Sequence, residues 1–258
     1  MNFVSGLIYP QMKTDRAAGH LKVLQGELSK LRQNPYTITK EDDTEHGLHR
    51  VHVKLNIGSA LTPISIGEFA YKLRSALDHL VWQLGLLGGR KPSRASAFPI
   101  QSDDSRRSRE KFMLATWDVP AAAVDIIKNL QPHTRGKNHR THPLWQLNRL
   151  CNLDKHATIG YNSTEVSIEL SEPVPTIPHH DPPELEILIP LGRKNKIEIN
   201  PQPPTLILGK PFEAPGPDFS LSESDVVEIH RFVSEDVLPK FAVFFPLPPP
   251  KPNSWGLA

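Results

Sequence analysis

The stretch ISIGEFAYKLRSALDHLVWQLGLL, residues 64–87, decides how the first half of the chain folds. Large apolar side chains recur in it every three or four positions, which is the period of one face of an α-helix. They are Phe69, Leu73, Leu77, Leu80 and Leu84. Glycines from position 85 onward provide the signal for a helix end. The sequence therefore predicts one long amphipathic helix over residues 64–87, with its apolar face in a helical bundle.

Five other segments carry helix signals, on both sides of this central helix. Residues 14–33 place an apolar residue at each helical turn. The segments that begin at residues 120 and 142 each have a proline near the first helical position, where the missing N–H does no harm. Ser222, with Asp225 three residues later, has the pattern of a capped helix start. The predicted helices are residues 14–33, 105–117, 120–132, 142–160 and 220–245.

From residue 164 onward the apolar period changes to two, which is typical of half-buried strands. The stretch that includes Leu185, Ile187 and Ile189 alternates in this way, and so does the earlier stretch HRVHVKLNI at residues 49–57. We predict an antiparallel sheet built from residues 36–57 and 164–210, in which the early hairpin pairs with the late strands. Helices in the first half and strands in the second predict an α+β fold.

Length and composition limit the class of protein. The 258 residues fit one α+β domain over residues 1–245, and the proline-rich segment PLPPPKPNSWGLA at residues 246–258 is expected to be a disordered or extended tail. The net charge of +2 requires no nucleic acid partner, and Cys151 has no second cysteine with which to form an internal disulfide. Neither a signal peptide nor a membrane span is apparent. These features predict a cytoplasmic protein that does not enter a membrane.

Arg74 and Asp78 lie one turn apart on the central helix, at the edge of its apolar face. With about 100° between successive residues, Asp78 lies about 40° from Arg74 and His79 about 140° from it. The sequence therefore predicts an Arg74–Asp78 ion pair, which stabilises an isolated helix by a few tenths of a kcal/mol. Cooperation of Arg74 with His79 requires a second helix or a second copy of the chain.

Asp154 is the most informative position of a second motif, RLCNLDKH at residues 149–156. On a helical wheel Asp154 falls inside the apolar stripe of its helix, near Leu147 and Leu150. An unpaired buried carboxylate is costly, so we expect Asp154 to be buried beside a partner such as Arg74, a helix N-terminus or a metal.

A separate polar line runs along the same helix, because Asn148, Asn152 and His156 are spaced four residues apart. A helix face that only contacts solvent does not require three hydrogen-bonding side chains in a row, so this line is a candidate for a polar site. Together with Asp78 and Asp154, these three residues form the predicted polar cluster.

The two motifs LRSALDHLVWQL and LNRLCNLDKH resemble those of a group of uncharacterised bacterial proteins with an L-R-S-x-L-D-H helix and a later D-K-H motif. That resemblance covers two helices and implies no established activity. The first motif is also distantly similar to HEPN domains, which often act as ribonucleases through an arginine and a histidine spaced R-x4-6-H. The resemblance implies that Arg74 holds the scissile phosphate and that His79 assists attack by the 2′-hydroxyl, in a cleft between two paired domains. The residue after the arginine, commonly Asn, Asp or His in that family, is here Ser75.

LDHLVW also resembles the metal-bearing helix of DinB-like hydrolases, and that resemblance implies His79 and His156 as two ligands, with no third ligand identified. No strong zinc motif, glycine-rich phosphate loop or nucleophile elbow is present, so the sequence predicts no metal and no cofactor. Basic segments flank the two motif helices and are candidates for binding the phosphates of RNA or of another ligand. Their residues are Arg106, Arg107, Arg109, Arg135, Lys137 and Arg140.

Three functional interpretations follow from these patterns. In the first, the paired motif helices are architectural or line a polar ligand site, and no activity is assigned. In the second, the protein is a HEPN-like, metal-independent ribonuclease or RNA-binding protein that uses Arg74 and His79. Its activity then requires either a homodimer or complementation by Asn152 and His156 of the second motif helix. In the third, it is a DinB-like metal-dependent hydrolase.

Overall fold

A computed structural model of the chain describes residues 6–56, 59, 61–156, 166–180, 183–193, 197–201, 206–207 and 220–245. The architecture is α+β, as predicted. The predicted proline-rich tail at residues 246–258 lies outside the described residues.

Each predicted helical segment forms a helix, although several of the ends differ from the prediction. The central helix begins three residues earlier than predicted, and the first helix six residues earlier. The helices are α1 (Ile8–Gln33), α2 (Leu61–Leu87), α3 (Arg106–Ala115), α4 (Ala121–Asn129), α5 (Pro143–His156) and α6 (Glu223–Arg231). A 3₁₀ segment that the sequence did not predict, Pro132–Thr141, connects α4 with α5.

The last helical segment is not one continuous α-helix. After α6 the chain continues as a π-helical turn, Phe232–Val237, and then as a 3₁₀ segment, Leu238–Phe244. Pro239 stands at the start of that 3₁₀ segment, and proline has no N–H to donate to the preceding turn. The predicted inward-facing residues Val226, Ile229 and Val233 are buried, whereas Phe232 is half-buried.

The chain divides into two compact units. The first comprises the described residues within Met1–Leu21, Gly67–His156 and Ser224–Ala258, and the second those within Lys22–Ile66 and Ala157–Glu223. Both α1 and α2 contribute a segment to each unit, because the boundaries fall inside these helices. The single domain over residues 1–245 stays a prediction.

The first unit is built around α2, whose predicted apolar face forms the core. Phe69, Leu73, Leu77, Leu80 and Leu84 are at most 1% exposed. The first part of α1 runs antiparallel to α2: Lys13 Nζ donates to Ser75 Oγ over 2.8 Å, and His20 lies 3.1 Å from the Glu68 carboxylate. Further buried side chains come from α4, α5 and the final helical segment, among them Ile127, Leu144, Leu147, Ile229 and Phe241.

The second unit contains a four-stranded antiparallel sheet in the order β1-β2-β5-β4. Its strands are β1 (Tyr36–Asp43), β2 (Leu48–Leu55), β4 (Thr176–His180) and β5 (Pro183–Pro190). The predicted pairing of the early hairpin with the late strands is confirmed, because Val51 of β2 lies opposite Ile187 of β5. These two residues, with Val53 and Ile189, form a buried apolar cluster on one face. Strand β4 was not predicted.

Two short antiparallel pairs complete the described strands. In one of them, β3 (Val166–Leu170) pairs with β6 (Ile197–Pro201). In the other, β7 (Leu206–Ile207) pairs with β8 (Ser220–Leu221). No helix in the described part of the chain combines the length and the apolar character needed to cross a bilayer.

Candidate functional site

Arg74 and Asp78 of α2 form the predicted ion pair, with 3.0 Å between Arg74 Nη2 and Asp78 Oδ1. The pair also holds the backbone of Phe98, which lies in the connection between α2 and α3. Arg74 Nη2 donates to the Phe98 carbonyl over 2.7 Å, and the Phe98 N–H donates to Asp78 Oδ1 over 2.9 Å. Because the Phe98 side chain is fully buried, this arrangement attaches the connection to α2 by both polar and apolar contacts.

The other terminal nitrogen of Arg74 has no such role. Nη1 is buried and has no hydrogen-bond partner within the described part of the chain. A buried charged donor without a partner costs free energy, so such a group calls for water or a ligand. Arg74 lines a pocket of about 320 Å³ that lies wholly within the first compact unit.

Four parts of the first unit build the walls of this pocket. Arg74 comes from α2 and Asn148 from α5, while the connection before α3 and the inner side of α3 supply the rest. The polar lining residues besides Arg74 and Asn148 are Gln101, Ser102, Asp103, Ser108 and Lys111. The apolar lining residues are Ala97, Phe98, Pro99, Ile100, Phe112 and Ala115.

Gln101 fixes one wall of the pocket to the neighbouring helices. Its backbone N–H donates to Oε1 of the buried Gln131 over 2.9 Å, and its side-chain Nε2 donates to the Ser108 carbonyl over 2.6 Å. Gln131 in turn donates to the Ile127 carbonyl of α4. The wall is therefore held by hydrogen bonds that do not involve any ligand.

Asp103 supplies a permanent negative charge at the pocket, next to the start of α3. Its Oδ1 accepts hydrogen bonds from the Ser105 N–H over 2.9 Å and from Ser108 Oγ over 2.7 Å. Hydrogen bonds from Ser105 and Ser108 lower the pKa of Asp103 to about 2. Ser105 is the N-cap of α3, since its side chain accepts from the Ser108 N–H.

Lys111, Asn148 and Ser102 are the other polar lining residues whose side chains lack a partner in the described part of the chain. Lys111 is exposed on α3 and Asn148 is half-buried on α5, and both side chains line the pocket. Neither side chain makes a hydrogen bond or an ion pair with any residue that the structure describes. Together with Ser102 they give the pocket wall three polar side chains that are free to contact a ligand. They line the pocket with the Arg74 guanidinium group, whose unpartnered Nη1 is itself buried.

The predicted polar line along α5 is divided in the structure. Only Asn148 reaches the pocket, while Asn152 is exposed. His156 is the last residue of α5, and its side chain lies outside the described residues.

The expectation that Asp154 is buried beside a partner is wrong. Asp154 is exposed, and the described partners of Arg74 are Asp78 and Phe98. A helical wheel gives the side of the helix on which a residue lies but not whether another element covers that side, and Asp154 lies in the last turn of α5. Its carboxylate lies against Gly67 of α2, where a Cβ atom would overlap it.

His79 lies in a different environment from Arg74, as their separation around the helix predicts. Its ring is half-buried and its centroid lies 6.5 Å from that of Tyr9 on α1. Burial, together with the nearby charge of Lys13, lowers the pKa of His79, so the ring is neutral at neutral pH. His79 does not line the pocket, and one copy of the described chain does not bring it together with Arg74 there.

The six basic residues predicted to bind phosphate are all exposed, and none of them lines the pocket. Arg106 pairs with Glu110 over 2.9 Å on α3, and Arg109 lies 3.6 Å from Asp104. Arg135, Lys137 and Arg140 belong to the 3₁₀ segment before α5. Their contact with phosphate stays a prediction.

Within the described residues, no group of three or more His, Cys, Asp or Glu side chains is arranged to hold a metal ion. Cys151 is buried, and this burial raises the pKa of its thiol to about 11, so the thiol is protonated at neutral pH.

Sequence reasoning identified Arg74 and Asn148 but missed most of the pocket. Gln101, Asp103 and Ser108 lie in or beside an aperiodic connection that the sequence marks only as a loop. The one local signal was the succession of Asp103, Ser105 and Ser108, which is typical of a capped helix start. Lys111 follows Arg106, Arg107 and Arg109 on α3, but no pattern in the sequence distinguishes it from these basic neighbours.

Comparison with known proteins adds no further assignment: no family model matches the chain, and no curated protein or solved structure is significantly similar to it.

Proposed function

We propose that this protein binds a small ligand with an anionic group, a carboxylate or a phosphate, in the pocket beside Arg74. The observation that carries this proposal is the set of unpartnered donors among the residues that line the pocket. Arg74 Nη1, Lys111 Nζ and the Asn148 amide have no partner in the described chain, and two of the three belong to cations. An anion is the ligand group that accepts from the Lys111 and Asn148 side chains and also compensates the buried positive charge of Arg74.

The fixed position of Arg74 supports the same proposal. Asp78 and the Phe98 carbonyl hold Nη2, so the guanidinium group is oriented before any ligand arrives. A side chain that is already ordered loses little conformational entropy on binding, and this favours affinity. The planar guanidinium group also matches the geometry of a carboxylate or a phosphate better than a lysine ammonium group does.

The first test measures thermal unfolding with increasing inorganic phosphate or acetate at constant ionic strength. A ligand that binds only the folded protein raises Tm as its concentration passes Kd. Lys111→Ala removes a charge from the pocket wall, so we expect a smaller shift. Lys128→Ala removes an exposed charge from α4, outside the pocket and outside the basic segments predicted to bind phosphate, so we expect an unchanged shift.

Arg74→Lys applies the same test to the guanidinium group that the proposal places next to the anion. Lysine retains the positive charge but lacks the second terminal nitrogen, so we expect weaker anion binding with the fold preserved. Equal Tm shifts in the wild type, Lys111→Ala and Arg74→Lys would contradict the proposal, and so would no shift with either anion.

A HEPN-like ribonuclease is the second candidate function, and the state of His79 favours it. A neutral imidazole at neutral pH is able to accept a proton from a 2′-hydroxyl group. Since His79 does not share the pocket with Arg74, this function requires a second copy of the chain to supply one of the two residues.

The ribonuclease hypothesis is tested by incubating the purified protein with single-stranded and structured RNA, with and without EDTA. It predicts cleavage that survives chelation and is lost in His79→Ala, and that returns when His79→Ala is mixed with Arg74→Lys. Cleavage that only EDTA removes would instead favour the DinB-like hydrolase. A folded protein that neither cleaves nor binds RNA would exclude the ribonuclease hypothesis.

A further inference from the structure

We propose that the ligand of this pocket is a zwitterion with an anionic group, a short aliphatic body and an ammonium group that contacts Asp103. This inference rests on the proposed function, because it assigns the anionic group to Arg74, Lys111 and Asn148. It adds the second charge of the ligand and the residue that recognises it.

The first support is the position and charge of Asp103. Asp103 lines the same pocket as Arg74 and Lys111. The hydrogen bonds from Ser105 and Ser108 both go to Oδ1, so neither of them occupies Oδ2. These bonds keep the carboxylate ionised at neutral pH, because they lower the pKa of Asp103 to about 2. The pocket therefore presents an anionic oxygen as well as cationic nitrogens.

The second support is the effect of Asp103 on the two kinds of ligand. A ligand with only an anionic group is repelled by the Asp103 carboxylate. A ligand that also carries an ammonium group gains an attraction from the same residue. A pocket that contains both signs of charge thus discriminates between the two, and the repulsion contributes to this specificity as much as the attraction does.

The third support is the apolar part of the lining. Ala97, Pro99, Ile100, Phe112 and Ala115 line the pocket together with the charged groups. Methylene groups between the two charged ends of a ligand would remove apolar surface of these residues from water. The lining therefore fits an aliphatic body better than a ligand that is polar throughout.

The experiment measures, by calorimetry, the affinities of zwitterions and of matched anions that lack the amine. The pairs are β-alanine with propanoate, 4-aminobutanoate with butanoate, 5-aminopentanoate with pentanoate, and phosphoethanolamine with ethyl phosphate. We expect the zwitterion to bind about fivefold more tightly in at least one pair, which is the upper range for an exposed ion pair. The pair with the largest ratio reports the spacing of the two charged ends, and the last pair distinguishes phosphate from carboxylate.

Asp103→Asn tests the assignment of the ammonium group. Asparagine still accepts from Ser105 and Ser108 through Oδ1, so the start of α3 is preserved, which circular dichroism checks. We expect the ratio between zwitterion and matched anion to fall to about one, while the affinity for the matched anion is retained or increased. Asp104→Asn is the matched control, because Asp104 is adjacent in sequence but does not line the pocket, and it should leave the ratio unchanged.

The outcomes separate this inference from the proposed function. If the anions bind but every zwitterion binds no better than its matched anion, the inference is overturned and the proposed function stands. A preference for zwitterions that persists in Asp103→Asn also overturns it. If neither the anions nor the zwitterions bind, the proposed function fails and the inference fails with it.

Discussion

At the scale of single residues, Arg74 has one role in the fold and a proposed role in ligand binding. Nη2 is engaged by Asp78 and by the Phe98 carbonyl, which fixes the connection between α2 and α3. Nη1 has no partner among the described residues and belongs to a residue of the pocket wall. The architectural interpretation and the proposed ligand binding are therefore compatible, because the contacts that fix the connection leave Nη1 without a partner.

The first role predicts a loss of stability when Asp78 is removed. Asp78→Ala deprives the Phe98 N–H of its acceptor and Arg74 of its counter-charge, so we expect the free energy of unfolding to fall by about 2 kcal/mol. Asp154→Ala is the control, because that exposed carboxylate should change stability by no more than about 0.5 kcal/mol. Urea denaturation of both variants measures the difference, and equal effects would show that the Phe98 attachment contributes little.

His142 predicts a pH dependence of stability. Its Nδ1 accepts a hydrogen bond from the Leu144 N–H over 3.1 Å at the start of α5, which requires an unprotonated nitrogen. Burial, and secondarily the charge of Arg135, lowers the pKa of His142 to about 4. Because the folded-state pKa lies below the ordinary value of about 6.5, the unfolded chain takes up the proton first as the pH falls. The contribution of His142 to stability is therefore complete above about pH 6.5 and is lost towards pH 4.

This dependence is measured by comparing the wild type with His142→Asn, since asparagine accepts the same hydrogen bond without titrating. Between pH 7 and pH 5 we expect the wild type to lose about 2 kcal/mol more than the variant. Urea denaturation at the two pH values gives both losses. The same loss in both proteins would mean that His142 protonates in the folded state without penalty.

At the scale of elements, the sequence was most informative where apolar residues repeat with a fixed period. The five apolar residues of α2 are buried as predicted, and the two-residue alternation placed β2 and β5 in one sheet. Strand β4 was missed because TIPHH has no alternation and contains a proline, which the edge position in the sheet tolerates. The pocket was missed for a related reason: its walls come from an aperiodic connection and three helices, and no local pattern encodes their meeting.

The helices also predict the effect of two glycine substitutions. Gly19 lies inside α1, is exposed, and has no atom within 4 Å of the position that a Cβ would take. Gly19→Ala should therefore raise the free energy of unfolding by about 0.5–1 kcal/mol, because alanine favours the helix. Gly67→Ala offers the same gain in α2, but its Cβ overlaps the Asp154 carboxylate, so we expect a smaller gain or a loss.

A double-mutant cycle separates helix propensity from this overlap. In an Asp154→Ala background the carboxylate is absent, so Gly67→Ala should become stabilising by about the same amount as Gly19→Ala. Urea denaturation of the four proteins of the cycle gives the coupling between residues 67 and 154. Additive effects would contradict the close approach of Asp154 to α2.

At the scale of the whole molecule, the two compact units share helices and not only linkers. α1 enters the second unit after Leu21, and α2 enters the first unit at Gly67. Helix formation is cooperative along a segment, so loss of one part of a helix weakens the part that continues it. Each unit therefore contains residues whose order depends on the folding of the other.

This sharing predicts that the described chain unfolds in one cooperative transition, as a single domain over residues 1–245 would. Leu77→Ala creates a cavity in the core of the first unit, and Ile187→Ala creates one beside the sheet of the second, each at a cost of about 3 kcal/mol. If the units unfold together, both variants shift one calorimetric transition by a similar amount, and far-ultraviolet circular dichroism and tryptophan fluorescence report the same midpoint. If the units are independent, two transitions separate in the variants, each substitution shifts only the transition of its own unit, and the two probes give different midpoints.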